Sequence, residues 1–198
     1  VIYAAREGYI EPFKVRLPRI VEERQPVLSA EEVNRVLEAA LDTWRPVRNY
    51  AIVLTLLDSG LRRGELLNLE WSDINLETGR IIVRESKSRR HRTVFVSQKT
   101  LTHLNYYHAK WPGSPVFPLT PGGLVSLFKR LSKKSGIYVT CHAMRRSFAT
   151  LSIRAGLPLP ALQRIMGHRS IETTQRYIYL IDDDLEQAHT KHSPLSLL

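Results

Sequence analysis

Apolar residues recur at helical spacing early in the chain, at Val33, Val36, Leu37, Ala40 and Leu41. Positions three and four apart share one face of a 3.6-residue turn, so this stretch predicts an amphipathic helix. Ser29 and Glu32 stand where a capping box opens it, each side chain answering a free backbone N–H near the other. Tyr50 to Leu57 is apolar nearly all round, which predicts a helix buried on every side, and Gly60 supplies its stop. A short helix through Leu66, Leu67 and Leu69 follows.

The period then changes. Glu77-Thr78-Gly79 reads as a turn, and Arg80–Arg84 and Arg92–Val96 read as strands around a polar, strongly basic hairpin loop from Glu85 to His91. Helical spacing returns where Ser97 caps a helix through Leu101 and Leu104. It resumes after Thr120-Pro121, with Leu124, Leu127, Phe128 and Leu131 on one face and Gly136 as the stop. Thr140 caps a helix running to Gly156, on which Phe148, Leu151 and Ala155 are expected to turn inward. Leu159–Met166 forms a short helix ended by Gly167, and Ser170 opens the next. The fold class is therefore α+β, mainly α-helical with a small antiparallel sheet.

Three regions divide the chain. Residues 1–27 carry Pro12, Pro18 and Pro26 without apolar period and read as a linker, with the remnant of an upstream domain before it. Residues 28–181 form the folded unit. Residues 182–198 are a tail in which Asp182, Asp183 and Asp184 can cap a short helix before the apolar Leu195, Leu197 and Leu198. The first residue is Val, which fits an excised fragment.

Composition narrows the function. With 198 residues, 43% apolar and 24% charged, the chain can build a core by packing alone. Cys141 is the single cysteine, so no internal disulfide forms and a reducing compartment fits. No apolar stretch is long enough to span a bilayer. A net charge of +10 points to an anionic partner, and nucleic acid is the commonest.

Candidate chemistry sits in three strings. His142 and Arg145 are three apart at the start of a helix, where the free N–H groups already favour an anion. They are either a phosphate site or an ordinary surface pair. Arg62 follows Gly60 in Ser-Gly-Leu-Arg-Arg-Gly-Glu-Leu; its fork suits phosphate oxygens, and equally suits a salt bridge to Glu65. His168 follows Gly167, and Tyr177 closes Thr-Thr-Gln-Arg-Tyr177. No cluster of Asp and Glu suggests a pair of metal ions.

In combination, these strings resemble the catalytic domain of the tyrosine site-specific recombinases, the phage integrase family. The resemblance covers residues 27 to 180 or so. It implies Tyr177 as a nucleophile that forms a 3′-phosphotyrosine and frees a 5′-hydroxyl. It implies Arg62 and Arg145 as a clamp on the non-bridging oxygens, with His168 as a third donor. Lys87 is implied as the acid for the leaving oxygen, and His142 as the proton acceptor for the tyrosine. Arg84, Arg89 and Arg90 share the hairpin with Lys87, and Tyr179 is a rival nucleophile. Ala143-Met144 and Arg146 replace the Asp-Leu and His that family members often carry. Arg84, Arg89, Arg90 and Arg92 of the hairpin, with Lys129, Arg130, Lys133 and Lys134 of a later helix, are expected to contact the DNA backbone.

The expected partners are double-stranded DNA and three further copies in a tetramer, with no membrane, no cofactor and no metal. A cytoplasmic, nucleoid-associated protein is expected. In the family the segment after the nucleophile often docks on a neighbouring subunit, which gives the tail a role. Two other readings use the same residues. A type IB topoisomerase shares the chemistry, and a non-catalytic DNA-binding regulator would share only the fold.

Overall fold

The computed structural model describes residues 27–84, 91–168 and 170–175. Helix α1 (Ala30–Leu41) opens at Ser29, whose hydroxyl accepts from the Glu32 N–H at 3.2 Å while the Glu32 carboxylate accepts from the Ser29 N–H at 2.8 Å. Helix α2 (Pro46–Ser59) is the centre of the molecule. Ala51 through Leu54 and Leu56 are buried, as expected of a helix apolar on all sides. Helices α1, α4 (Gln98–Lys110) and α6 (Cys141–Arg154) pack around it, and α5 (Pro121–Ser135) packs on α1.

Helix α3 (Arg63–Leu67) leads through a 3₁₀ turn at Trp71–Asp73 into strand β1 (Arg80–Arg84), which pairs antiparallel with β2 (His91–Phe95). The register sets Ile81 opposite Val94 and Val83 opposite Arg92. Ile81, Val83 and Val94 reach the core, while β2 lies against α2 and against α7 (Leu159–Met166). Helix α8 (Ile171–Gln175) packs on α7. The mainly α-helical fold with a small antiparallel sheet is the one expected from the sequence.

Two local expectations change. Ser97 stands at the start of α4 but does not cap it through its side chain. Its N–H and hydroxyl both donate to Asp58 Oδ2, at 2.6 and 2.7 Å, tying α4 to the end of α2. On α6 the inward face is Ala143, Met144, Arg145, Ser147, Ala149 and Thr150. Phe148 and Leu151 are half-buried and Ala155 is exposed. α6 lies against α2 on one side and α7 on another, and four of its six buried residues, Ala143, Ser147, Ala149 and Thr150, are small.

Among the described residues no helix is long and apolar enough to cross a membrane.

Candidate active site

The site is built on the C-terminal end of α7. A helix end leaves its last carbonyls without backbone partners and carries partial negative charge. Here Gly167, at φ 63°, turns the chain left-handed, and the Gly167 and His168 N–H groups return to Arg164 and Gln163 carbonyls at 3.2 Å each. This Schellman closure fixes His168. It also leaves the carbonyls of Ile165, Met166 and Gly167 in a row.

Three arginines from three parts of the fold donate to that row. Arg92 of β2 donates through Nε to Ile165 O at 2.8 Å. Arg145 of α6 donates through Nη2 to Met166 O at 2.6 Å. Arg62, the residue preceding α3, donates through Nη2 to Gly167 O at 2.9 Å. The helix end thus serves as an anionic anchor that holds cations together despite their repulsion.

Arg145 is 5% exposed, and its Nη1 also donates to the carbonyl of Gly60. That carbonyl is presented by the left-handed stop of α2, at φ 62°. Only glycine fits there: an added Cβ would stand 2.4 Å from Phe148 Cδ1. Arg62 is 44% exposed along its side chain, and Glu65 Oε1 accepts from its Nη1 at 3.0 Å. The salt bridge read from the sequence is present. With the described residues the guanidinium makes only these two bonds, so part of its five-donor fork faces outward.

His168 Nε2 lies 3.1 Å from Arg145 Nη2, and its Nδ1 lies 2.9 Å from Thr174 Oγ1 of α8. A guanidinium only donates, so Nε2 is the acceptor and the proton sits on Nδ1. Burial, then Arg145, Arg62 and Arg92, pushes the imidazole down to about 4. His168 is therefore neutral at pH 7. Its neutral form is favoured by folding, so the associated stability is present above pH 6.5 and is lost as pH falls toward 4. Urea midpoints measured from pH 7 to 4 should fall more steeply for the native chain than for His168→Gln. Equal slopes would contradict the assignment.

A cleft of about 800 Å³ opens beside this anchor, lined by Arg62, Glu65, Arg84, Gly167, His168 and Thr173 among others. Arg145 lies behind His168 and does not line it. Arg84 is exposed at the rim, 2.6 Å from Asp73 Oδ1. His142, in the first turn of α6, lines a separate groove with Arg63, Lys129, Tyr138 and Cys141. Thr140 caps that turn, accepting from the Ala143 N–H at 3.0 Å. Burial, then Arg146 and Arg145, lowers the His142 imidazole below its ordinary range, so it too is neutral at pH 7.

The basic residues of α5 separate. All four are exposed. Lys129 shares the groove of His142, whereas Lys134 pairs with Asp42 at the end of α1, and Arg130 acts electrostatically on Arg48 of α2. Lys133 follows Lys129 by one helical turn. Arg92, expected from the sequence among the residues that contact the DNA backbone, is turned inward instead. Its side chain is 10% exposed, and both nitrogens of its fork donate to Glu65, at 2.6 Å each. A largely buried carboxylate in the first turn of α3 is a stronger attraction than water at a strand edge.

Lys87, Arg89, Arg90 and Tyr177, with the rival Tyr179 and the tail, lie outside the described residues. Among the described residues no group of three or more His, Cys, Asp or Glu comes together as a metal site would require. Sequence reasoning passed over Thr174 and the doubled role of Glu65. The Thr-Thr within the Tyr177 string was the available signal for the first.

The model of the phage integrase family matches residues 26–183. The chain belongs to the phage integrase family. It is 36% identical over 176 residues to the tyrosine recombinase XerA of Saccharolobus solfataricus, covering 88% of this chain and 59% of that one. The fold matches a crystal structure of XerA recombinase with a TM-score of 0.73 at 33% identity, over 86% of this chain and 66% of that one. The integrase of transposon Tn1549, solved with circular intermediate DNA, matches with a TM-score of 0.74 at 23% identity, over 89% of this chain and 70% of that one, a likeness of fold. This phage integrase chain spans about 59% of the length of the Saccharolobus relative.

Proposed function

We propose that this chain is the catalytic part of a site-specific DNA recombinase that cuts and rejoins strands through a 3′-phosphotyrosine, by way of a Holliday junction. The observation that carries the reading is the gathering of Arg62, Arg145 and His168 at one helix end, in a phage integrase that also has the Tyr177 string. A scissile phosphate beside Arg62 and His168 would meet fixed cations, and charge that grows in the five-coordinate state is stabilised more than the ground state.

Each group has a task in that reaction. Tyrosine has a pKa of about 10, so roughly one in a thousand is ionised at pH 7 and a base must help. Tyr177 Oη attacks phosphorus and its proton passes to His142, whose depressed imidazole is neutral and able to accept it. Because His142 lines a groove separate from the cleft, this step needs the tyrosine oxygen to stand between the two. The bond from phosphorus to the 5′-oxygen breaks, and Lys87 protonates that oxygen. Arg62 and Arg145 take the non-bridging oxygens. For Arg145 this needs a phosphate that draws Nη2 away from His168 Nε2, which then becomes free to pick up a proton and donate. An anion nearby raises a histidine's pKa, so the proton uptake has the right sign.

Arg84, Arg89, Arg90, Lys129, Arg130, Lys133 and Lys134 would add backbone contacts. Residues 28–181 would form the catalytic unit, residues 1–27 the connection to a DNA-clamping domain, and residues 182–198 the link between copies in a tetramer. Sedimentation on DNA with and without the residues after Leu180 checks the last point, with assembly lost in the shorter chain. Equal assembly by both would remove the tail from the account.

The reaction itself is tested with a pool of nicked duplexes of randomised sequence, in which a cut strand diffuses away and leaves its covalent partner trapped. Covalent complexes should accumulate in excess EDTA, because arginine and histidine supply the charge. Strict dependence on added magnesium or manganese would sink the metal-free mechanism. Binding without any covalent product would favour a DNA-binding regulator on this fold.

A further inference from the structure

The geometry points to Arg92 as a positioning residue of the active site, a tie that holds the Arg62 segment and the His168 turn at a fixed separation without touching DNA. This inference rests on the strand-transfer reading above.

Arg92 joins three parts of the fold. It belongs to β2, its fork closes on both carboxylate oxygens of Glu65 in α3, and its Nε reaches the Ile165 carbonyl of α7. These three donors point in fixed directions from one planar group, so holding two of them fixes the third. The stem of the side chain also lies against the turn. A Cβ added to Gly167 would stand 3.0 Å from Arg92 Cδ and 3.2 Å from Nε. Arg92 therefore sits under the residue that precedes His168.

Glu65 passes the constraint on. Its Oε2 also accepts from the Arg62 N–H at 2.7 Å, and Oε1 from Arg62 Nη1. The carboxylate is thus shared between a guanidinium turned inward and one turned toward the cleft. Arg92, then the Arg62 backbone and charge, overcome the burial that works against ionisation and hold this carboxyl down to about 2. Glu65 therefore stays charged through the neutral range. Arg62 and Gly167 are joined directly as well, at 2.9 Å, which closes a ring of contacts: Arg92, Glu65, Arg62, Gly167 and the Ile165 turn.

A lysine at this position keeps the charge but cannot fork onto a carboxylate while also reaching a carbonyl. Arg92→Lys is therefore the discriminating variant. Single-turnover cleavage is measured with saturating nicked duplex selected from the randomised pool, at a temperature well below the variant's melting point. The rate should fall by about a hundredfold, the scale expected from a misplacement of about 1 Å. The Kd for the same duplex, and the slope of log K against log salt, should match the native chain. A weaker Kd with a shallower slope would mean that Arg92 meets a phosphate, and an unchanged cleavage rate would mean that charge alone suffices. Either result overturns the proposal.

A second measurement separates this inference from the function on which it rests. The His168 imidazole is titrated by NMR in the native chain and in Arg92→Lys, without DNA. The groups facing it are Arg145, Arg62, position 92 and Thr174. With charge preserved, only a loosened turn can admit water to the ring, and its pKa should rise by about one unit or more. An unmoved titration rejects the positioning role even if the native chain cleaves no DNA at all. Should the native chain fail to cleave while His168 does shift, the positioning role stands and the strand-transfer reading falls.

Discussion

Arg145→Ala is expected to abolish cleavage and to lower the unfolding free energy by about 3 kcal/mol, the scale for stranding buried acceptors that had a charged donor. Arg145 is 5% exposed and serves the carbonyls of Gly60 and Met166, which no backbone N–H of the described residues replaces. Removing it strands both and leaves His168 Nε2 without its donor. The Gly60 stop and the α7 end would then separate, carrying Arg62 with them. Arg145→Lys separates the two effects. It restores one of the donors, so stability should partly recover while the single-turnover rate remains at least about a hundredfold low. Urea titration and covalent trapping on the same preparations check this. A lysine variant that cleaves at the native rate would show that Arg145 is structural only.

The second large effect concerns the nucleophile. Tyr177→Phe should bind DNA with native affinity and form no covalent complex, because the ring is kept and the attacking oxygen is gone. Tyr179→Phe should trap DNA as the native chain does. The motivation is the position of Tyr177 nine residues after His168, three beyond the Thr174 that holds the His168 ring. Loss of trapping in the Tyr179 variant alone would exchange their roles.

Much of the fold was legible because its signals are local. The Ser29–Glu32 box, the Thr120 and Thr140 caps, and the stops at Gly60, Gly136 and Gly167 each follow from residues within a turn of one another. The same holds for the candidate site at the level of its strings. Arg62, Arg145 and His168 could be named, and so could the Arg62–Glu65 pair at helical spacing.

What held them together could not be read. The Arg62 bond to Gly167 spans 105 residues and the Arg92 bond to Ile165 spans 73, and no periodicity encodes a side chain reaching a distant carbonyl. Arg92 was grouped with its neighbours in a basic hairpin because composition marks charge and not direction. On a strand, successive side chains alternate between faces, so one arginine of such a run turns inward. The inner face of α6 was misread for a related reason. Phe148 and Leu151 are larger apolar residues than Ala143 or Ala149, but Phe148 sits beside the Gly60 turn and only half-buried, while Met144 and Arg145 are buried.

In the proposed reaction the cations assembled at the end of α7 serve a tyrosine that attacks DNA. The most direct test is to trap the native chain on nicked duplex in EDTA, digest the protein, and locate the nucleotide-bearing peptide by mass spectrometry. One modified peptide is expected, with the adduct on the Tyr177 oxygen and a free 5′-hydroxyl on the released strand. An adduct on another residue, or a 5′-linked one, would contradict it.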